Sequence, residues 1–154
     1  MLLGKCKREA PRTRLKRYYC IWDLVNIEKV MRIKNFKDLN VWQKSMDLVV
    51  EIYRLIESLP NIENNALSNQ MRRAAVSIPS NIAEGYSRYS DKELVQYLYI
   101  AKGSAAELET HLLIAERLGY FSKEEITNGV NLCIDTQKMI NAFIKQVRNS
   151  ESNI

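Results

Sequence analysis

The residues that could carry chemistry in this chain are few and scattered. The chain has one histidine, His111, and Glu107 lies four residues before it, so the two side chains share one face of a helix. Di-iron helical bundles use a Glu-x-x-His pair on each of two helices, together with further glutamates. Because this spacing differs and the sequence has no second histidine, we expect a solvated Glu–His pair and no metal site.

The usual motifs for nucleophilic catalysis and for phosphate or dinucleotide binding are missing. A nucleophile–base–orienter triad would need His111 as its base, and the spacing places no serine or cysteine beside it. The five glycines are scattered and form neither G-x-G-x-x-G nor a P-loop. We therefore expect a protein that is not an enzyme, with no catalytic residues and no cofactor.

The cysteines and the hydropathy indicate the cellular compartment. Cys6, Cys20 and Cys133 are odd in number and widely spaced, which argues against a zinc site or a disulfide framework. Cys133 falls on an apolar helix stripe and is predicted to be a buried small hydrophobe. No apolar run reaches the roughly 18 residues that a transmembrane helix needs. We expect a protein of the reducing cytoplasm with no membrane attachment.

The positive charge is concentrated at the N-terminus. The net charge is +5, and residues 1–30 supply all of it, because residues 31–154 hold equal numbers of basic and acidic side chains. The basic segment 1–30 and its aromatic residues could contact nucleic acid. The change in composition favours another interpretation, a disordered leader or a misassigned start. We therefore predict a bundle domain at residues 31–154.

Four segments carry apolar residues at steps of three and four, the pattern of helices buried on one side. Helix 1 is predicted from about Leu39 to Ser58 and helix 2 from about Asn64 to Tyr86. Helix 3 begins at Ser90, and helix 4 runs from Ser122 to about residue 149. The predicted buried stripes are Val41, Ser45, Leu48, Ile52, Leu55 and Leu59; Leu67, Met71, Ala74, Ile78 and Ile82; Leu94, Leu98, Ala101, Ala105, Leu108, Leu112 and Ala115; and Ile126, Val130, Cys133, Gln137, Ile140, Ile144 and Val147.

Helix ends and connections determine the topology. Ser90 with Glu93 and Ser122 with Glu125 form S-x-x-E capping boxes, and Gly119 has the position of a helix C-cap. The short connections make neighbouring helices antiparallel. The predicted fold is all-α, an antiparallel up-down-up-down four-helix bundle.

Two residues inside the helices are unusual. Pro79 removes a backbone hydrogen bond and predicts a kink, with Ser77 and Ser80 placed to satisfy the freed backbone groups. Gly103 costs about 1 kcal/mol relative to alanine in a helix interior. Such a cost predicts the close approach of another helix at Gly103.

The stretch Gln70–Gly85, QMRRAAVSIPSNIAEG, followed by YSRYSDKE, carries a family resemblance. It resembles the four-helix-bundle proteins encoded in the intervening sequences of bacterial 23S rRNA genes, a family similar to the accessory proteins of diversity-generating retroelements. The similarity continues through IAKGSAAELETHLLIAERLGY and covers roughly the last four fifths of the chain. It implies a homo-oligomer, and the similar proteins form ring- or barrel-shaped pentamers.

Basic and aromatic side chains near helix 2 form the candidate nucleic-acid surface. The predicted binding residues are Arg72, Arg73, Tyr86, Arg88, Tyr89 and Lys92. Arginine and tyrosine together suit phosphate contact and base stacking. The last four cluster at one end if helices 2 and 3 are antiparallel, whereas Arg72 and Arg73 lie roughly 20 Å away along helix 2. Asn81 and Glu84 have two interpretations: a recognition pair, or a tie between the end of helix 2 and helix 3.

Two functions follow from the resemblance. The first is a non-enzymatic module associated with rRNA intervening sequences that contacts RNA or DNA, or a ribonucleoprotein, directly. The second is a protein-binding scaffold, the accessory subunit of a partner enzyme such as a reverse transcriptase, with no nucleic-acid contact. The neutral bundle favours the second, because sequence-independent nucleic-acid binding needs positive surface. Aromatic residues in excess of the buried stripes, such as Trp42, Tyr53 and Tyr99, independently indicate self-association.

Overall fold

The computed structural model of the chain describes residues 35–59 and 66–151. A short 3-10 helix, Phe36–Asp38, precedes four α-helices, which are α1 (Asn40–Ile56), α2 (Leu67–Ser87), α3 (Asp91–Arg117) and α4 (Lys123–Glu151). These are the four predicted helices, with bounds shifted by one to three residues, and the described part of the chain has no strand. The predicted extension at residues 1–30, the start of the bundle domain and the loop around Pro60 lie outside the described residues.

The core consists of the apolar stripes that the spacing predicts. On α3, every stripe position from Leu94 to Ala115 is at most 1% exposed. The stripe of α1 includes Ser45, whose hydroxyl donates to the carbonyl of Trp42 at 2.6 Å, so its burial leaves no polar group unsatisfied. The stripe of α4 includes the half-buried Gln137, whose amide is likewise hydrogen-bonded. The predicted register of the helices is therefore confirmed.

Contacts between α2 and α3 run in opposite directions along the two helices. The hydroxyls of Ser77 and Ser104 are 2.8 Å apart. Seven residues further along α2, Glu84 accepts a hydrogen bond at 2.9 Å from the hydroxyl of Tyr97, which lies seven residues earlier on α3. The two helices are therefore antiparallel.

The same reasoning applies to α3 and α4. The amide of Gln137 donates to Glu109 at 2.8 Å, and the guanidinium of Arg148 lies 5.4 Å from the ring centre of Tyr99. The residue number therefore rises along α4 as it falls along α3. Since α1 packs against both α2 and α4, the helices follow one another around the bundle in chain order, as the up-down-up-down topology requires.

The turn between α3 and α4 has a well-defined hydrogen-bond pattern. Gly119 has a φ of 75°, its N–H donates to the carbonyl of Glu116 at 2.9 Å, and the N–H of Tyr120 donates to the carbonyl of Ala115 at 3.0 Å. These two bonds form a Schellman motif, in which the left-handed position favours glycine. The predicted C-cap is confirmed.

Only one of the two predicted capping boxes is present. The N–H of Ser122 donates to Glu125 Oε2 at 2.7 Å, and the N–H of Glu125 donates to the Ser122 hydroxyl at 3.3 Å, which is the reciprocal pair of a capping box. The prediction for Ser90 and Glu93 was wrong, because Ser90 precedes α3 without a side-chain cap bond. The acids in the first turn of α3 interact favourably with the helix dipole instead.

The close approach between helices occurs at Gly85, and the prediction for Gly103 was wrong. A Cβ atom built at Gly103 would have nothing within 4 Å, since this residue faces outward. A Cβ atom at Gly85 would lie 2.6 Å from the Cβ of Tyr97 and 3.3 Å from the side chain of Leu94. Glycine is therefore required sterically at the end of α2, where α3 begins.

Pro79 lies inside α2 and is buried. The predicted compensation by its neighbours differs from what the structure shows. The Ser80 hydroxyl donates to the carbonyl of Val76 at 2.8 Å, and the Ser77 hydroxyl bonds Ser104 on α3. Neither serine bonds the carbonyl of Ala75, the one that proline deprives of its helical partner.

The aromatic residues beyond the core stripes differ in burial. Phe121 is buried, Trp42 is half-buried against the core, and Tyr53 and Tyr99 are each 44% exposed. Exposed apolar surface therefore remains on α1 and α3 after the bundle has formed. None of the helices within residues 35–59 and 66–151 is both long and apolar enough to cross a bilayer.

Candidate functional site

The turn between α2 and α3 presents an aromatic ring and a cation to solvent. Only three residues connect the two helices, so the turn is short. Tyr89, at its centre, is 97% exposed. Lys92, in the first turn of α3, is exposed and has no ion-pair partner within the described ranges. An exposed ring and an unpaired ammonium group three residues apart can stack on a base and neutralise a phosphate.

Arg88, one residue before Tyr89, is held within the protein. Its guanidinium donates to the carboxylate of Glu84 and to the Tyr97 hydroxyl, the latter at 2.8 Å. The same guanidinium lies 5.2 Å from the ring centre of Tyr97, whose hydroxyl also donates to Glu84. We call Glu84, Arg88 and Tyr97 the α2–α3 polar clasp. Because it already binds a carboxylate, Arg88 is less available to a phosphate than the sequence suggests.

The electrostatics of the clasp follow from these bonds. The hydroxyl of Tyr97 and then the guanidinium of Arg88 lower the pKa of Glu84 below its ordinary value. The carboxylate of Glu84 in turn raises the pKa of Arg88. Both groups are therefore fully charged at neutral pH. The clasp connects the last turn of α2 to α3, which is the second of the two interpretations of Glu84.

Asn81, one turn earlier, bonds α3 only indirectly, through Ser77 of its own helix. Its amide donates to the carbonyl of Ser77 at 2.7 Å and to the Ser77 hydroxyl at 3.0 Å, and that hydroxyl bonds Ser104. The bonds of Asn81 thus lead across to α3, and its amide is used within the protein. Ser104 was not singled out from the sequence. The available signal was its position among consecutive small residues of α3, GSAA at 103–106.

The remaining predicted binding residues do not join the turn in one patch. Tyr86 is half-buried and packs against the core, so its ring serves the fold. Arg72 is half-buried and donates to Asn69 at 3.3 Å. Arg73 is exposed, without a salt-bridge partner in the described segments, but it lies fifteen residues before Arg88, roughly 22 Å along the helix.

Arg73 faces a polar groove between α2 and α3. Gln70 and Ser77 of α2 and Ser104 and Glu107 of α3 also line this groove. Arg73 and Glu107 lie on opposite sides of this groove. They do not form an ion pair, because the guanidinium nitrogens and the carboxylate oxygens are more than 4.0 Å apart. Of the six predicted residues, Tyr89 and Lys92 are exposed at the α2–α3 turn and Arg73 is a separate exposed cation. The other three contact residues of the bundle: Arg72, Tyr86 and Arg88.

His111 and Cys133 have no neighbours that suggest catalysis. His111 is half-buried, and its Nδ1 atom has no hydrogen-bond partner. Cys133 is fully buried, and burial, followed by the charge of Glu109, raises the pKa of its thiol to about 12. Within residues 35–59 and 66–151, no three His, Cys, Asp or Glu side chains form a group that could hold a metal ion.

Comparisons with known proteins agree with this bundle. A family model described as 23S rRNA-intervening sequence protein matches residues 37–142. Among solved structures, the chain is similar to a protein with unknown function from the S23 ribosomal protein family of Bacteroides thetaiotaomicron. The two are 29% identical, the match covers 68% of this chain and 98% of that chain, and the TM-score is 0.64. A comparison with curated proteins found no match.

The matched range begins in the 3-10 helix and ends within α4, so it includes both ends of the α2–α3 connection and most of the core. It covers well over half of the chain. From the four-helix fold and this match together, the chain belongs to the 23S rRNA-intervening sequence protein family.

Proposed function

We propose that the chain is a non-enzymatic, cytoplasmic bundle protein that works as a homo-oligomer, a pentamer by the family resemblance, and associates with RNA or with a ribonucleoprotein. The observation that most supports direct contact is the exposure of Tyr89, which is 97% accessible and lies three residues before Lys92. A tyrosine ring usually buries part of its surface. A fully solvated ring beside a cation suits stacking on an unpaired base.

Oligomerisation would multiply a weak site. Among the predicted binding residues, each copy offers two cations without an ion-pair partner, Lys92 and Arg73, and one exposed ring, which together support only weak binding. Several copies in a ring, each contacting one RNA molecule, would bind through avidity without any new contact. The family name refers to an intervening sequence of 23S rRNA, and RNA is therefore the ligand to test first.

The test is titration of the full chain, and of a chain that starts at Met31, with a structured RNA at several salt concentrations. Each phosphate contact contributes roughly 0.7–0.9 to the log–log salt slope. Lys92→Ala should therefore reduce the slope by about that amount per contacting copy. Tyr89→Ala should weaken binding about fivefold or more with an unchanged slope, because stacking carries no charge.

Two control variants make this test specific. Lys123→Ala removes the same charge at the α3–α4 turn, which lies at the other end of α3 from Lys92. This variant should leave the salt slope unchanged. Arg88→Ala should change binding less than Lys92→Ala, since the guanidinium is held in the α2–α3 polar clasp. If only the full chain binds, residues 1–30 are the RNA-binding element and the proposed turn is not.

The alternative function is an assembly scaffold that binds a partner protein and no nucleic acid. Two observations favour it: residues 31–154 have no net charge, and α1 and α3 expose large apolar side chains. Absence of RNA binding at low salt, with the assembly intact, would support this alternative. Titration with the retroelement class of partner, a reverse transcriptase, would then be the direct measurement.

A further inference from the structure

The polar groove between α2 and α3 has the size of a ligand site. Its volume is about 460 Å³, within the range of roughly 300–1,000 Å³ that is usual for small-molecule sites. Six residues line it, and we call it the α2–α3 groove: Gln70, Arg73, Ala74, Ser77, Ser104 and Glu107. Five of these six are polar or charged, whereas most ligand pockets are mainly apolar. A ligand of this groove would therefore be held chiefly by hydrogen bonds.

The hydroxyl groups of the groove are already used within the protein. The Ser104 hydroxyl donates to the carbonyl of Ile100 at 3.1 Å and lies 2.8 Å from the Ser77 hydroxyl. The Ser77 hydroxyl in turn accepts from the amide of Asn81 at 3.0 Å. Ala74 and Ser104 are buried. These bonds fix the inner surface of the groove, so recognition of a ligand depends on the charged groups on its two sides.

Arg73 on α2 and Glu107 on α3 are both exposed. Neither has a hydrogen-bond or ion-pair partner within residues 35–59 and 66–151. A guanidinium group has only donors and a carboxylate only acceptors, and each can make two parallel bonds. The two charges cancel, so the groove suits an uncharged polar group. A lone phosphate would be attracted by Arg73 and repelled by Glu107.

Guanine is the RNA base whose edges match both sides of the groove. Its O6 and N7 atoms are adjacent acceptors, which an arginine binds with two bonds. Its N1–H and its N2 amino group are adjacent donors, and a carboxylate can accept from both. Adenine and cytosine each have one amino group, and uracil has one ring N–H, so none of them offers a carboxylate two adjacent donor groups. Unpaired bases present both of these edges to proteins.

We propose that the α2–α3 groove binds a guanine base. The N1–H and the N2 amino group donate to the carboxylate of Glu107, and O6 and N7 accept from the guanidinium of Arg73. The base belongs either to a free guanine nucleotide or to an unpaired guanosine of RNA. The RNA source rests on the proposed function and adds base specificity to it, whereas the nucleotide source is independent of that function.

Isothermal titration calorimetry of the full chain with nucleoside monophosphates tests the match. Guanosine monophosphate (GMP) should bind, and the adenosine, cytidine and uridine monophosphates should bind about tenfold more weakly or less still, because each loses bonds to the groove. Inosine monophosphate lacks the N2 amino group, and 7-deaza-GMP lacks the N7 acceptor. Each of these two analogues should bind about tenfold more weakly than GMP.

Two variants assign the two edges of the base. Glu107→Gln replaces one acceptor oxygen by a donor, so GMP should bind about tenfold more weakly and its advantage over inosine monophosphate should shrink. Arg73→Lys keeps the charge but lacks the planar fork, so the advantage of GMP over 7-deaza-GMP should shrink instead. Glu124→Gln and Arg117→Lys, at exposed positions outside the groove, are the matched controls and should leave all affinities unchanged. Circular dichroism verifies that each variant keeps its helices.

A single-stranded oligouridylate with one central guanosine tests the RNA source. The comparison oligonucleotides carry inosine or adenosine at that position. Wild type should bind the guanosine oligonucleotide about tenfold more tightly than the other two, and Glu107→Gln should reduce this difference. Discrimination among the nucleotides alone would assign the groove to a free nucleotide, and discrimination among the oligonucleotides alone would assign it to RNA. Either result supports a guanine site.

Two results would overturn the inference. The first is the absence of binding of both GMP and the guanosine oligonucleotide. The second is binding in which guanine has no advantage over inosine and adenine, because Glu107 would then accept nothing specific from the base. If structured RNA still binds and depends on Tyr89 and Lys92, the guanine site is removed and the proposed function remains. If GMP binds and no RNA does, the guanine site remains and the proposed RNA contact is removed.

Discussion

At Gly85 the backbone of α2 approaches Tyr97 so closely that a methyl group has no room. The atom in the way is the Cβ of Tyr97, which is fixed to the backbone of α3 and can move only if the helix moves. Gly103, by contrast, has open space and bears only the conformational cost of glycine in a helix. These two glycines therefore predict opposite effects for the same substitution.

Gly85→Ala should lower the free energy of unfolding by about 1–3 kcal/mol, the usual cost of overpacking a buried contact. Gly103→Ala should raise it by up to about 1 kcal/mol, because alanine is the better helix former and nothing obstructs its side chain. Urea denaturation of wild type and both variants at one protein concentration measures both. A stabilising Gly85→Ala would show that α2 and α3 are farther apart than described.

Tyr97→Phe should raise the pKa of Glu84, because the Tyr97 hydroxyl is the largest cause of its lowered value. Since the folded pKa lies below the ordinary 4.5, the ionised carboxylate stabilises the fold above that pH. This contribution is lost as the pH falls through the folded pKa. The stability difference between wild type and variant should therefore diminish in acid.

An NMR titration of the Glu84 carboxyl carbon measures the shift directly. Tyr99→Phe is the matched control, since Tyr99 lies on the same helix and its ring contacts Arg148 rather than Glu84. An unchanged pKa of Glu84 in Tyr97→Phe, with Arg88 intact, would mean that the α2–α3 polar clasp depends on the guanidinium alone.

Among the helices, the beginnings of α3 and α4 have the same sequence pattern and different structures. The reciprocal bonds of Ser122 and Glu125 hold the first turn of α4, and the N–H and hydroxyl of Ser122 lower the pKa of Glu125. Ser90 makes no such bond. Ser122→Ala should therefore lower the melting temperature by several degrees, and Ser90→Ala should lower it less. Equal losses in thermal melts of the two variants would contradict this difference.

The sequence predicts the helices well because burial depends on spacing. Every stripe residue of α3 is buried as predicted, and Gly119 ends that helix, since both properties depend on residues close in the chain. Properties that depend on two helices were less predictable. The contact of Gly85 with Tyr97 joins residues of different helices, and a glycine alone does not reveal which partner approaches it.

The candidate site shows the same limit. Charge and aromatic character selected Tyr89 and Lys92, and both are exposed near the α2–α3 turn. The same criteria included Arg88 and Tyr86. The side chain of Arg88 bonds Glu84, and that of Tyr86 packs against the core. Whether an arginine is available to a ligand depends on whether an acidic side chain lies close to it. For Arg88 that acid is Glu84, and Tyr97, which bonds both, lies on another helix. A composition-based list therefore mixes free groups with structural ones.

For the molecule as a whole, the buried core lies between Leu39 and Val147. A chain that starts at Met31 keeps every one of these side chains and loses only the basic segment. We therefore expect it to melt within a few degrees of the full chain in a thermal scan. A larger loss would show that residues 1–30 pack on the bundle, and its dependence on salt would show whether their charge is responsible.

Pro79, in the middle of α2, also affects the order in which the chain becomes structured during synthesis. A proline in a helix interior costs about 3 kcal/mol relative to alanine, so α2 alone is a poor helix. Packing of α2 against α1 and α3 offsets this cost. The hydrogen bonds of Ser77 and Glu84 also require residues of α3, Ser104 and Tyr97. As the ribosome extends the chain, α2 emerges before the helix that stabilises it. We expect α2 to remain unstructured on the nascent chain until Ser104 has left the exit tunnel.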